Sequence, residues 1–234
     1  MLSIIIPTFN EKKYLPSLLD SIKKQSFKDY EIIVADAGSK DNTADIAKDY
    51  GCIVIKGGLL PRGRNNGAKV AKGDTFLFLD ADIILPPFFL SNIIKKFKED
   101  NLGVAGFPIS PINGKKIDRI GFLFFNKWAE LTQKISPHAA SAILARRDVH
   151  EAIGGFDEEI TFIEDYPYTR AAAKVAKYRF IKEFFFTSVR RYEEDGRFKT
   201  YIKYILGELH VVFLGPIKSD IFNYKFNHYE DKKT

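Results

Sequence analysis

Four short apolar runs, each closed by a polar loop and followed by an amphipathic stretch, constrain this chain more than any other feature. Residues 2–6, 31–36, 52–55 and 75–79 are too short and too continuously apolar for surface helices, and they read as buried strands. Between and after them lie helical patterns. Residues 14–24 carry Leu15, Leu18, Leu19 and Ile22 on one face, and residues 41–48 open on Asp41, Asn42 and Thr43, good capping residues. Residues 62–71 and 88–97 complete the series. This alternation dictates an α/β fold, with a mostly parallel central sheet covered by helices on both faces.

After about residue 103 the rhythm loosens. The pattern predicts a strand over 104–107 and a helix over 118–134, the latter from Ile120, Leu123, Phe124, Trp128 and Leu131. A strand follows over 141–145, a helix over 147–153 ending at Gly154-Gly155, and a helix over 166–176. A strand over 180–186 and an apolar helix over 198–214 come last, and the charged tail at 230–234 is expected to fray.

The 234 residues fit one generous domain with at most a short appendage. The single cysteine, Cys52, rules out an intrachain disulfide and reads as a buried thiol. A net charge of +6 suits an anionic ligand or a membrane surface, while the lack of a basic stripe, zinc spacing or RNA-binding signature argues against nucleic acid. The first residues lack the basic region and length of a signal peptide, and no run reaches the ~18 apolar residues of a spanning helix. The expectation is a cytoplasmic protein, peripheral at most at the inner face of the cell membrane.

Ligands of open parallel sheets collect beyond the carboxyl ends of the strands. Those ends carry Pro7-Thr8-Phe9-Asn10-Glu11, Asp36 through Thr43, and Asp80-Ala81-Asp82. Two carboxylates with no lysine or arginine beside them in sequence are costly unless a cation joins them, and hard oxygen ligands suit Mg²⁺ or Mn²⁺. Taken alone, the triplet also suits a capped strand-end turn. In the segment from Arg62 to Gly67, glycines let backbone approach phosphate and arginines pair with it. No Gly-x-Gly-x-x-Gly follows the first strand and no P-loop occurs, which argues against dinucleotide-dependent and P-loop enzymes.

The motifs from Ile4 to Glu11, Val34 to Thr43, Arg64 to Gly67 and Leu79 to Asp82 resemble the family 2 glycosyltransferases in order and spacing. Gly154-Gly155-Phe156-Asp157-Glu158 and Glu164-Asp165 resemble that family's acceptor-side motif. The resemblance spans roughly residues 1–192. It implies a GT-A fold with a Rossmann-like nucleotide-sugar-binding half (1–102), an acceptor half (103–192) and a C-terminal helical extension (193–234). It further implies inverting transfer from a UDP- or GDP-sugar, assisted by Mn²⁺ or Mg²⁺, to an acceptor hydroxyl or lipid phosphate. The acceptor classes are a glycan, a lipid phosphate or a lipid-linked sugar. On this chain Pro7, Thr8, Asn10, Glu11, Asp36 and Gly38 would frame the nucleotide. Arg64, Arg190 and Arg191 would lie near donor phosphates, Asp80 and Ala81 would contact ribose or metal, and Asp82 would ligate metal. Asp165 would be the catalytic base, and only one of Glu164 and Asp165 is expected to face the site. The absence of Gln-x-x-Arg-Trp argues against a processive polymer synthase.

The phenylalanine-rich segments around Phe88, Phe124-Phe125 and Phe185 could line a lipid-facing groove but read more readily as core, and His210 reads as a satisfied helix histidine. The last helix, with Lys199 and Lys203 near its start, suits a membrane-surface contact or a homodimer interface. Two rivals stand beside the main reading. A nucleotidyltransferase would place a glycine-rich loop and an arginine where Pro7 to Glu11 stand. A scaffold that had lost catalysis would not need Asp36, Asp80, Asp82 and Asp165 together.

Overall fold

The computed structural model describes residues 1–58 and 60–224. His228 and the tail at 230–234 lie outside the described residues. The first half runs β1 (Leu2–Thr8), α1 (Leu15–Lys23), β2 (Tyr30–Asp36), α2 (Thr43–Asp49), β3 (Ile53–Lys56), α3 (Leu60–Val70), β4 (Thr75–Leu79), β5 (Ile83–Ile84) and α4 (Phe89–Glu99). The second half adds β6 (Val104–Gly106), β7 (Ile109–Pro111), α5 (Lys116–Thr132), β8 (Ala142–Arg146), α6 (Arg147–Ala152) and α7 (Asp165–Val175). It ends with β9 (Tyr178–Phe180), β10 (Phe185–Thr187), α8 (Arg190–Glu194), α9 (Arg197–Phe213) and a 3₁₀ turn over Asp220–Phe222.

The central sheet has seven strands in the order β3-β2-β1-β4-β8-β6-β9. Pairing is parallel except where β8 meets β4 and β6. All seven residues of β1 are buried, because helices cover both faces. Leu2, Ile4 and Ile6 pack with Leu15, Leu18, Leu19 and Ile22 of α1 and Phe89, Leu90 and Ile93 of α4 on one side. Ile5, Ile33, Phe76 and Phe78 pack with α3, α6 and α7 on the other. Strand order reverses at β1, between β2 and β4, which opens a crevice at their carboxyl ends.

Four local expectations change. The strand expected over 180–186 is two strands in two sheets: β9 pairs with β6, while β10 joins a three-stranded sheet ordered β5-β10-β7. Phe107 and Pro108 break the partner between β6 and β7, so the chain beside it must leave one sheet for the other. At the start of α2, Asn42 adopts a left-handed φ of 67° and makes no side-chain cap; Asp41 Oδ1 instead accepts the Thr43 N–H at 3.2 Å. The phenylalanine segments are only half core. Phe89, Phe122 and Phe185 are buried, but Phe88, Phe124 and Phe184 are exposed. Likewise the stripe that predicted α5 points outward, and the helix buries Asp118, Phe122 and Ala129 instead.

Candidate active site

The loops after β1 and β2 are stitched together by side chains. Asn10 takes a left-handed φ of 55°, donates its N–H to Ser39 Oγ (2.8 Å) and accepts the Lys40 N–H on Oδ1 (2.9 Å). The Glu11 N–H reaches Thr43 Oγ1 at 2.8 Å. Asp36 accepts from Thr8 Oγ1 (3.0 Å), Gly38 N (2.9 Å), Ser39 N (2.8 Å) and Ser39 Oγ (2.5 Å). Four bonds fill the acceptor capacity of one carboxylate, so Asp36 organises the loop in this state. Gly38 supplies the φ of 91° that the turn requires.

Helix α3 is the hub that joins the two halves. Gly67 sits so close to β1 that an added Cβ would lie 2.3 Å from Ile5 Cγ2, and one on Gly63 would lie 2.9 Å from Pro7 Cβ. These glycines permit helix-to-strand approach; the sequence had suggested approach to phosphate. The close packing carries Arg64 into the interior, where it is 1% exposed. Its Nη2 donates to Asp80 Oδ1 at 2.8 Å, and its Nη1 donates to Glu164 Oε1 at 2.9 Å and to Asp165 Oδ1. The expectation that only one of Glu164 and Asp165 faces the site is therefore corrected. They flank the first turn of α7, and both carboxylates converge on one guanidinium. Asp165 is also fixed by the Ser141 N–H on Oδ2 at 3.0 Å. Next along α3, Asn65 clamps the Gly154–Glu158 segment, accepting the Phe156 N–H (2.8 Å) and donating to Phe156 O (2.9 Å) and Glu158 Oε1 (3.0 Å).

A second arginine closes the other side. From α8, Arg190 makes a bidentate pair with Glu11, Nη1 to Oε2 at 2.8 Å and Nη2 to Oε1 at 2.6 Å. Its Nε lies 3.1 Å from Asp82 Oδ2, and its guanidinium lies 4.5 Å from the centre of the Tyr14 ring. Asp80 and Asp82, with no cation beside them in sequence, each meet an arginine in three dimensions, brought from a distant element. Arg191 lies over Tyr224, 4.1 Å from the ring centre.

Even so, negative charge predominates. Glu11, Asp80, Asp82, Glu164 and Asp165 line one cavity, and Arg64 and Arg190 are the cations that grip them. Burial pushes Glu11 up to about 7, held back by Arg190 and reinforced by Asp82 and Asp80. Burial, with Asp165 beside it, pushes Glu164 to about 7 as well. Burial also raises Asp82 against the pull of Arg190, and Asp165 against the pull of Arg64. Burial alone would lower the Arg64 pKa, but Asp165, Glu164 and Asp80 outweigh it and hold the guanidinium charged. Carboxylates driven toward their neutral form in this way are a site that a further cation would relieve. Among the described residues no three acidic, histidine or cysteine side chains gather closely enough to hold an ion alone. Asp80 and Asp82 are hard oxygen donors lining the cavity, a chemistry compatible with a divalent ion that takes its remaining ligands from phosphate and water.

The cavity measures about 1070 Å³. Of the residues singled out in the sequence, Pro7, Thr8, Glu11, Asp80, Ala81, Asp82, Asp165, Arg190 and Arg191 line it, whereas Asn10, Asp36, Gly38 and Arg64 are not part of its lining. Sequence reasoning missed His138, which is 2% exposed, stacks on Tyr166 and lies 3.6 Å from Glu208 of α9. It also missed that Trp128, Tyr192 and Tyr204 join Phe125 in one aromatic wall. No local motif marks these residues, because only the fold gathers them.

The model of glycosyl transferase family 2 matches residues 3–154. The chain is 27% identical over 199 residues to an uncharacterized glycosyltransferase, EpsJ, of Bacillus subtilis, covering 76% of this chain and 57% of that protein. It spans a little over half the length of the curated relatives it matches first. Its fold is shared with Staphylococcus aureus TarS 1–349, solved with UDP-GlcNAc (TM-score 0.65, 24% identity, 89% of this chain and 66% of that one). It is also shared with mannosyltransferase PcManGT of Pyrobaculum calidifontis, solved with GDP-Man and Mn²⁺ (TM-score 0.72, 17% identity, 91% of this chain and 64% of that one). With a GT-A architecture, an acidic crevice where the strand order reverses, and a family match over most of its length, this chain belongs to the family 2 glycosyltransferases.

Proposed function

We propose that this chain transfers a sugar from a UDP- or GDP-sugar to an acceptor in a single, inverting displacement, with Asp165 as base. The observation that carries the reading is the placement of Asp165. One of its oxygens is oriented by Arg64 and the other by the Ser141 N–H, in the same cavity as Asp80 and Asp82. A buried carboxylate raised toward neutrality takes a proton more readily than an ordinary one, which suits removal of an acceptor proton during attack on the anomeric carbon. Thr8, Glu11 and Ala81 lie at the ends of β1 and β4, where the nucleotide would sit. Arg191 would meet the diphosphate. Arg190, now paired to Glu11 and Asp82, would have to share Asp82 with a metal.

The relatives' ligands support the donor class: TarS was solved with UDP-GlcNAc and PcManGT with GDP-Man and Mn²⁺. When bound by Asp80 and Asp82, Mn²⁺ or Mg²⁺ would neutralise charge developing on the departing diphosphate. Calorimetric titration of UDP and GDP, each with and without Mn²⁺, tests the reading. Metal-dependent binding of one nucleotide is expected, and a folded protein that binds neither would overturn it. With the donor identified, Asp165→Asn should keep nucleotide affinity and lose transfer by roughly 10²–10⁴-fold.

A further inference from the structure

Both α5 and α9 carry their apolar stripe on the outside. Most of the exposed large hydrophobic side chains among the described residues lie on these two helices. An amphipathic helix of a globular protein ordinarily turns that stripe inward. The two helices meet near their N-termini, where Tyr201 packs against Gly121 and Arg197 Nε donates to Asp118 at 3.0 Å. Farther along, Phe124, Phe125 and Trp128 of α5 and Ile205, Leu209 and Val212 of α9 line the same cavity that holds the five carboxylates. One continuous space thus has an acidic, reactive end and an apolar end that opens among exposed side chains.

From this juxtaposition we propose that the acceptor is a single amphipathic lipid. Its polar head would lie at Asp165 and its hydrocarbon chain between α5 and α9. The inference rests on the transferase reading above and names its acceptor class. Three observations favour this occupant over a second copy of the chain. The apolar walls run into the reacting centre, which a folded partner's surface cannot enter but a chain can. At about 1070 Å³, the cavity is at the upper limit of what one small ligand fills, leaving room for an acceptor beside the donor. Exposed Lys116, Arg119, Lys127, Lys134 and Lys199 flank the stripes, as on helices that lie at an anionic bilayer surface. No helix among the described residues is long and apolar enough to cross a membrane, so contact through these stripes would be with one leaflet.

The protein's single tryptophan, Trp128, stands in this wall and reports on it directly. Its emission would be followed during titration with farnesyl phosphate and with dodecyl glucoside, which share a long chain and differ in head. Inorganic phosphate and glucose serve as chainless controls. A blue shift with either chain-bearing probe and none with the controls is expected, the better probe identifying the head. Leu209→Glu, an exposed substitution, should weaken that probe at least tenfold and leave UDP or GDP affinity unchanged. No shift with either long-chain probe, a shift matched by the chainless controls, or Leu209→Glu binding as tightly as the parent would each overturn the proposal. Nucleotide titration of the same samples keeps the outcomes apart. Nucleotide binding without a chain response sinks the acceptor inference alone, and failure of nucleotide binding sinks the donor reading.

Discussion

Arg64 shows how one residue can join two halves of a protein. It lies on α3 yet grips Asp80 from the first half of the chain and Glu164 and Asp165 from the second. A buried ion cluster is not in itself a source of stability, but removing one partner strands the others in a poor solvent. Arg64→Ala should therefore destabilise by about 3–5 kcal/mol, read as a lowered denaturation midpoint at unchanged slope. The paired acids set a pH dependence of stability. Glu11 and Glu164, raised to about 7, bind protons more readily folded than unfolded. Their stabilising effect is complete below the ordinary carboxylate range and is lost as pH rises through about 7. His150 acts oppositely. Burial lowers it to about 4, so its contribution is present above its ordinary value and is lost as pH falls through about 4. Comparing thermal midpoints of wild type and Glu164→Gln at about pH 5.5 and 8 isolates the acid. The variant should lose less stability than wild type between the two.

Among the elements, α3 is the one whose sequence says one thing and whose packing says another. Its pattern predicts a helix, as found, and its glycines suggest approach to phosphate, yet they press the helix on β1 instead. Gly67→Ala tests this directly. On an exposed helix the change would add about 1 kcal/mol through propensity. Here the new Cβ would meet Ile5 Cγ2 at 2.3 Å. A net loss of about 1–3 kcal/mol is expected in chemical denaturation, and a gain would show that α3 can move away from the strand without cost. The split of the expected strand over 180–186 has the same origin. Alternation in one segment cannot reveal that its partner is interrupted by Phe107-Pro108.

Across the whole molecule, α9 and the segment after it to Ile217 pack against the site. Val211 and Ile217 pack with Phe162 and Tyr166, the residues that precede and follow Glu164-Asp165 along the chain. A Cβ on Gly207 would lie 2.6 Å from Phe162 and Ile163 side-chain atoms, so α9 sits directly on this segment. Removing the chain after Tyr192, which retains the loops after β1, β2 and β4 together with Arg190 and Arg191, should preserve nucleotide binding. Sugar transfer should fall by about 10²-fold or more through misplacement of Asp165. Val211→Asp, a buried charge on α9, should do the same without shortening the chain. If either variant transferred sugar at the parental rate, α9 would have no part in positioning the acid pair.

The strand runs from Leu2 to Leu79 were legible because β1, β4 and the end of β2 are buried on both faces and must be apolar there, while β3, at the sheet's edge, is partly exposed yet keeps the same short apolar run. The clusters at their carboxyl ends were legible for the same reason: polar residues directly after a buried strand can only stand at the sheet's edge. The ion pairs were not legible. Arg190 meets Glu11, and Arg64 meets Asp165, across separations that no periodic signal spans. Nor could periodicity tell that the stripes of α5 and α9 face outward, since a helix states which residues share a face and its neighbours decide which way that face looks. Local pattern is enough to announce the parallel strands of the first half, the helices that cover them and the acids at their edge. Tertiary structure alone decided which arginine holds which acid and where the apolar wall opens, because those are long-range contacts made only when the chain closes on itself.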